Sequence, residues 1–150
     1  MATDTEWAWA AGFFDGEGCI RAAVIDSRER VIPVKAHNKG IKYTLAIAIS
    51  NTDKSSLDKF RDIVQQSTVL GPYCRPNCKP VFYFGLSSHA KVIRILQHML
   101  PYLTVKREQA EVALEWPLKP KEDTRSWRKL PLHLKAKRVE IARRLKELKR

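Results

Sequence analysis

Two carboxylates, Asp15 and Glu17, close an otherwise apolar stretch that reads WAWAAGFFDGEGCI from Trp7 to Ile20. Acids are rarely tolerated in a core, so acids that end so greasy a segment must either do chemistry or make a structural bond. Ala8, Ala10, Ala11 and Gly12 make one side of the segment narrow, and small residues let two helices approach closely. Two copies packed through Ala8, Ala11, Gly12 and Asp15 would bring both Glu17 carboxylates to one spot at the helix ends. Paired carboxylates repel unless a hard cation lies between them, and Mg²⁺ is the usual cation where one or two carboxylates share it with a phosphate. A metal there would activate water and stabilise a leaving oxygen, the needs of phosphodiester cleavage. The plain alternative is a single core helix ending in a Gly-rich turn.

The other reactive side chains form no such constellation. Cys19, Cys74 and Cys78 are too few and too odd in number for a disulfide framework, and the one close pair lacks a second pair at zinc-finger spacing. His37, His89, His98 and His133 are scattered without triad or metal spacing, and Gly16-Glu17-Gly18 lacks the third glycine of a dinucleotide fingerprint. Charge is more informative. Of 150 residues, 28 are Lys or Arg and 16 are Asp or Glu, giving +12 on a chain that is 44% hydrophobic. A folded basic domain favours a polyanionic partner, most often nucleic acid. No membrane partner is expected, because acids interrupt the apolar N-terminal stretch, and an intracellular setting fits the sparse cysteine.

The periodicities predict the elements that must position these residues. A helix capped by Thr3 or Asp4 runs to about Phe14, and Gly16-Glu17-Gly18 stops it. Strands alternate over Cys19–Ile25 and Lys42–Ser50, joined by a long polar connection from Ser27 to Gly40. A helix capped by Thr52 or Asp53 carries Leu57, Phe60, Ile63 and Val64. Strands at Tyr73–Lys79 and Val81–Ser87 follow, with Pro76 and Pro80 arguing for an edge or irregular hairpin. Further helices start at Ser88 and Val105. A core over 1–116 is then followed, over 117–150, by a Pro-rich linker and a strongly basic helix that includes Arg138. Trp116 and Trp127 flank the linker and are expected to pin it.

This order describes an α+β fold: a four-stranded antiparallel sheet with helices on one face and a bare opposite face. The alternation assigns Arg21, Lys42, Thr44, Ser50, Tyr73, Arg75, Asn77, Lys79 and Tyr83 to the bare face. A twisted sheet of donors can enter a DNA groove, although a solvated face reads the same way. The density of Lys and Arg in the last helix suggests phosphate contact, with Arg138 among the candidates.

Ala10 to Gly18, AAGFFDGEG, resembles the nine-residue motif of the LAGLIDADG homing endonucleases, with Ala for the leading Leu, Phe-Phe for Leu-Ile, Gly for the later Ala and Glu for the second Asp. Ile47–Thr52 and Leu100–Ala110 resemble further segments of that family, and the similarity runs from about Trp7 to Leu114. The resemblance implies an αββαββα fold, a saddle-shaped sheet on double-stranded DNA, and metal-dependent double-strand cleavage across the minor groove. It implies that Glu17 and the carbonyl of Gly16 are metal ligands, that Asn51, where the family often has Gln, positions water, and that Lys106 is the catalytic lysine. Mg²⁺ is the expected cofactor, with Mn²⁺ a substitute and Ca²⁺ binding without turnover. One motif implies a homodimer through the first helix and a near-palindromic target. A strand of this length spans about 30 Å, close to nine base pairs at roughly 3.4 Å each, so two half-sites suggest a target on the order of 20 base pairs. The resemblance also implies an intron or intein-like element in a bacterial cytoplasm or an organelle. Alternatives within the same fold are an intron RNA maturase and a DNA-binding regulator that does not cut.

Overall fold

The computed structural model describes residues 1–26, 40–66, 68–119 and 130–149. Most of the expected connection after the first strand, His37 and Trp127 lie outside them. The chain begins with helix α1 (Asp4–Glu17), strands β1 (Gly18–Asp26) and β2 (Ile41–Asn51), and helix α2 (Lys54–Val64). Strands β3 (Val69–Tyr73) and β4 (Val81–Leu86) follow, then helix α3 (His89–Met99), a 3₁₀ turn at Leu100–Tyr102, and helices α4 (Arg107–Leu114) and α5 (Leu132–Glu147). The sheet is antiparallel in the order β1-β2-β4-β3. This is the expected α+β arrangement.

Local chemistry sets the helix starts. The Thr3 hydroxyl accepts the N–H of Glu6 while the Glu6 carboxylate accepts the N–H of Thr3, a reciprocal box that satisfies donors at the α1 N-terminus. Asp53 caps α2 through the N–H groups of Ser55 and Ser56, and the Ser56 and Ser55 hydroxyls help to hold its carboxyl down at about 2. Ile20, Leu45, Ile47, Ile49 and Phe84 form the buried face of the sheet. An aromatic stack crosses the core, with Phe14 stacked on Phe60 at 6.2 Å and Phe60 edge-on to Phe84 at 5.1 Å.

Three boundaries differ from the sequence reading. First, α1 does not stop at Phe14 but continues through Gly16 to Glu17, because Gly18 N–H still bonds the Phe14 carbonyl and α4 engages the helix end. Gly18 is required where the chain turns into β1: a Cβ there would lie 2.2 Å from the Phe14 ring. Second, the third strand is Val69–Tyr73, not Tyr73–Lys79. Pro76 and Pro80 cannot donate ladder bonds, and Arg75–Cys78 instead forms a turn closed by Cys78 N–H on Arg75 O, with Asn77 at φ 60°. β3 is an edge strand whose pairing slips between Leu70 and Tyr73, the irregularity expected of this hairpin. Third, α5 packs into the core. Ile141 and Leu145 of α5 are buried in the same core as α1 to α4. No helix among the described residues is long and apolar enough to cross a membrane.

Candidate active site at the end of the first helix

The motif ends where α1, β1, β2 and α4 meet. Asp15 faces inward, toward α4: its Oδ2 accepts the N–H of Thr104 at 2.7 Å and of Val105 at 3.2 Å and the Thr104 hydroxyl at 2.9 Å, and its Oδ1 accepts the N–H of Lys106 at 2.8 Å. Helix α4 has Lys106 at its N-cap, which offers no side-chain cap of its own. The Asp15 carboxylate supplies that cap from 89 to 91 residues away in sequence, at the positive end of the α4 dipole. Partial burial pushes the Asp15 carboxyl up, but the N–H donors of Thr104 and Lys106, with the Thr104 hydroxyl and Val105 N–H, outweigh it and hold it below the ordinary value. In return, the Lys106 ammonium donates to the Asp15 carbonyl oxygen at the C-terminal, negative end of α1. The two helices therefore cap each other with opposite charges.

This geometry bears on two residues expected at a subunit interface. The Asp15 carboxylate is engaged within its own chain by α4. Ala11 is fully buried in its own core and cannot line an outward face. The exposed strip of α1 runs instead past Ala8, which is half-buried, to Gly12 and Gly16, where an added Cβ would meet nothing within 4 Å.

Glu17, Asn51 and Lys106 lie on the elements that meet at this helix end. Glu17 is exposed and immediately precedes Gly18, which pairs with Ile49, so it leaves the sheet beside the Ser50–Asn51 end of β2. The Asn51 amide oxygen accepts the N–H of Asp53 at 2.9 Å, which orients the side chain and leaves its NH₂ as the group available to other partners. Gly16 is exposed. A hard cation suits these donors, a carboxylate and a backbone carbonyl unobstructed by a side chain. Among the described residues no group of three or more His, Cys, Asp or Glu side chains could hold a metal.

Eight of the nine side chains assigned to the bare face divide into two groups, with Asn77 apart on the β3–β4 turn. Arg21, Lys42 and Thr44 stand on β1 and β2, with the Thr44 hydroxyl donating to Ala23 O at 3.4 Å. Ser50, Tyr73, Arg75, Lys79 and Tyr83 gather with Cys78 and Val81 around a recess of about 430 Å³. Arg75, Asn77 and Lys79 sit on the exposed β3–β4 connection, off the sheet plane, because of the turn at Pro76. The Tyr83 ring folds back over Gly85, where a Cβ would meet it at 2.5 Å, and its strand neighbourhood buries Ala48 opposite Gly85.

Arg138 does not belong to any DNA-facing surface. It is 7% exposed, its guanidinium donates twice to Pro117 O at 3.1 and 2.7 Å and lies 5.2 Å from the centre of the Trp116 ring, so its charge is spent on docking α5. Trp116 in turn donates to His89 Nδ1 at 3.3 Å, and burial, aided by Arg138, pushes that imidazole's pKa down. Periodicity hides this cluster because its members are non-local. The Asp15 cap did leave a trace: a helix that opens Lys-Arg without a capping residue needs an acceptor from elsewhere.

No protein-family model matches the chain. The chain is 26% identical over 110 residues to the DNA endonuclease I-CvuI of Chlorella vulgaris, a stretch covering 73% of this chain and 62% of that protein, less than two thirds of its length. Among solved structures, I-CvuI in complex with its target superposes with a TM-score of 0.71 at 21% identity, over 97% of this chain and 82% of the other. The archaeal intron-encoded homing endonuclease I-Vdi141I, complexed with DNA, gives 0.69 at 15% identity over 97% and 84%. A LAGLIDADG homing endonuclease, I-GzeII, gives 0.62 at 15% identity, with 97% of this chain matching 44% of that longer one. With the motif in α1 and this sheet and helix arrangement, the chain has the fold of these LAGLIDADG homing endonucleases and carries one copy of a motif similar to theirs.

Proposed function

We propose that the protein is a homodimeric, divalent-metal-dependent endonuclease that makes a double-strand cut in a long, near-palindromic DNA site. The observation that carries this reading is the placement of Glu17, Asn51 and Lys106 on the elements that meet at one exposed helix end. I-CvuI and I-Vdi141I, both solved on DNA, support the substrate class, and the I-CvuI complexes were obtained with Ca²⁺ in one case and Mg²⁺ in another.

Glu17 and the Gly16 carbonyl would hold Mg²⁺, with the second copy's Glu17 completing the ligand set. Bound there, the ion supplies an acidified water and charge stabilisation at the leaving oxygen. Asn51, its oxygen committed to Asp53, presents NH₂ protons that can hold a water by its lone pair. Lys106 spends one proton on Asp15 O and keeps two for a phosphate oxygen, bringing a positive charge to the negative end of α1. The Ala8–Gly12 strip lets the two helices come close, and Arg21, Lys42, Thr44 and the recess of Tyr73 and Arg75 face the DNA.

The test is incubation of the purified protein with a library of near-palindromic duplexes in Mg²⁺ or Ca²⁺, beside Glu17→Gln. Mg²⁺-dependent double-strand cuts in one sequence family, lost in the variant while binding persists, are expected. Tight binding without cutting under either metal would sink the nuclease reading and favour intron RNA or regulatory DNA.

A further inference from the structure

The Asp15 carboxylate accepts four hydrogen bonds, all from the short segment that opens α4. Three come from the main-chain N–H groups of Thr104, Val105 and Lys106. The fourth is the Thr104 hydroxyl, which donates to Oδ2 at 2.9 Å and is the one side-chain donor among them. An ionised carboxylate offers about four lone-pair sites, so the hydroxyl fills the last of them. The start of a helix needs only its N–H groups satisfied, and the hydroxyl satisfies none of these. What it changes is the acceptor.

That change bears on Lys106. Asp15 presents two acceptors to the Lys106 ammonium, its carboxylate and its main-chain oxygen, and the ammonium donates to the main-chain oxygen. An ion pair with a free carboxylate would be the stronger bond, because both groups are charged. With four donors already on the carboxylate, the carbonyl is the acceptor left over. A lysine paired with a carboxylate offers a phosphate little net attraction, whereas one bonded to a neutral carbonyl keeps its charge for the substrate.

We propose that Thr104 is a positioning residue for Lys106: its hydroxyl occupies the remaining acceptor site of Asp15 and so holds the ammonium on the main-chain oxygen, turned toward the scissile phosphate. The inference rests on the reading of Lys106 as a phosphate-contacting lysine and deepens it. Thr104 is exposed, and a change of its side chain leaves its own N–H on Asp15, so the cap of α4 survives the substitution.

The test compares Thr104→Val, which keeps the shape and loses the hydroxyl, with Thr104→Ser, which keeps the hydroxyl, each alone and combined with Lys106→Met. On a cleaved duplex in Mg²⁺, Thr104→Val is expected to lower kcat by about tenfold, with KM and duplex affinity in Ca²⁺ unchanged, and Thr104→Ser to restore most of the rate. In the Lys106→Met background Thr104→Val should cost nothing further, since the two residues act through one group. An unaltered kcat in Thr104→Val, no rescue by Ser, or the same tenfold loss on top of Lys106→Met overturns the proposal. Parental cleavage by Lys106→Met overturns it together with the reading of Lys106, and is told apart because it needs no change at Thr104. A readout without DNA tests the placement by itself. In lysine ammonium NMR the Lys106 signal, identified by its loss in Lys106→Met, should move in Thr104→Val and stay in Thr104→Ser; a signal unmoved in Thr104→Val overturns the proposal whether or not the protein cuts.

Discussion

The end of α1 and the open sheet face carry polar side chains of similar kinds, yet they are built in opposite ways. At the helix end the polar groups that shape the site are committed. Asp15 caps α4, Lys106 caps α1, and Asn51 is tethered by Asp53. On the open face, Lys42, Arg75, Asn77 and Lys79 are exposed, and three of them sit on the β3–β4 connection rather than a strand. Groups that act at a fixed reacting atom gain from being held before the substrate arrives. Groups that read a groove can be ordered by the groove itself. The contrast separates a preorganised centre from an adaptable surface.

The sharpest way to break that contrast is to compare the two motif acids. Glu17→Gln is expected to lower the cleavage rate by at least about 10³-fold, a loss of several kcal/mol of transition-state stabilisation, while urea unfolding stays unchanged because the Glu17 side chain is exposed. Asp15→Ala should do the reverse first: three backbone donors at the start of α4 lose their acceptor, costing about 2 kcal/mol or more in urea unfolding, with cleavage falling because Lys106 is displaced. If Asp15→Ala unfolded like the parent, the mutual capping of α1 and α4 would be refuted.

The glycines of the motif give a second, smaller contrast. Gly18→Ala places a Cβ against the buried Phe14 ring, and a loss of about 1–3 kcal/mol in denaturant midpoint analysis is expected. Gly12→Ala meets nothing within its own chain and should be neutral or stabilising by up to about 1 kcal/mol at the level of the chain, yet weaken self-association in sedimentation measurements.

Acidity separates the Asp15 cap from the His89 cluster. The folded state depresses the Asp15 carboxyl, so its contribution is complete above the unfolded value of 3.8 and is lost as pH falls through the lower folded value. The stability gap between the parent and Asp15→Asn should narrow there. His89 is also depressed, so the unfolded chain takes up a proton near 6.5 that the folded chain refuses until lower pH. Stability should decline as pH falls below about 6.5, and His89→Gln should remove that part of the slope in thermal melts across the range. The smallest effect is expected at Lys42→Gln on the open face: within about 0.5 kcal/mol in unfolding, with a measurable change only in DNA affinity.

Much of this was legible in one dimension. The capping residues Thr3 and Asp53, the alternation of β2 and the helical stripe of α2 are local patterns, and local patterns follow from backbone periodicity. The prolines near Tyr73 correctly pointed to an irregular edge hairpin but were set inside a strand, which put Arg75, Asn77 and Lys79 on the sheet when they belong to its connection. The basic helix was legible as a helix and misread in its charges. Lys and Arg look alike in sequence whether they face solvent, Glu115 or a carbonyl, and only the packing of α5 shows that Arg138 is consumed.

By itself, then, the sequence determined the basic, mixed α+β character of the chain, the identity of the motif, and the capped starts of α1 and α2, because composition, spacing and local caps act within a few residues. Tertiary structure alone decided which donors the Asp15 carboxylate caps, which side of α1 remains open, and which basic groups of α5 are compensated within the chain. Those outcomes depend on partners some 20 to 130 residues away, such as Pro117 for Arg138 and Cys19 for Lys149, and a carboxylate or guanidinium takes its role from the groups that reach it.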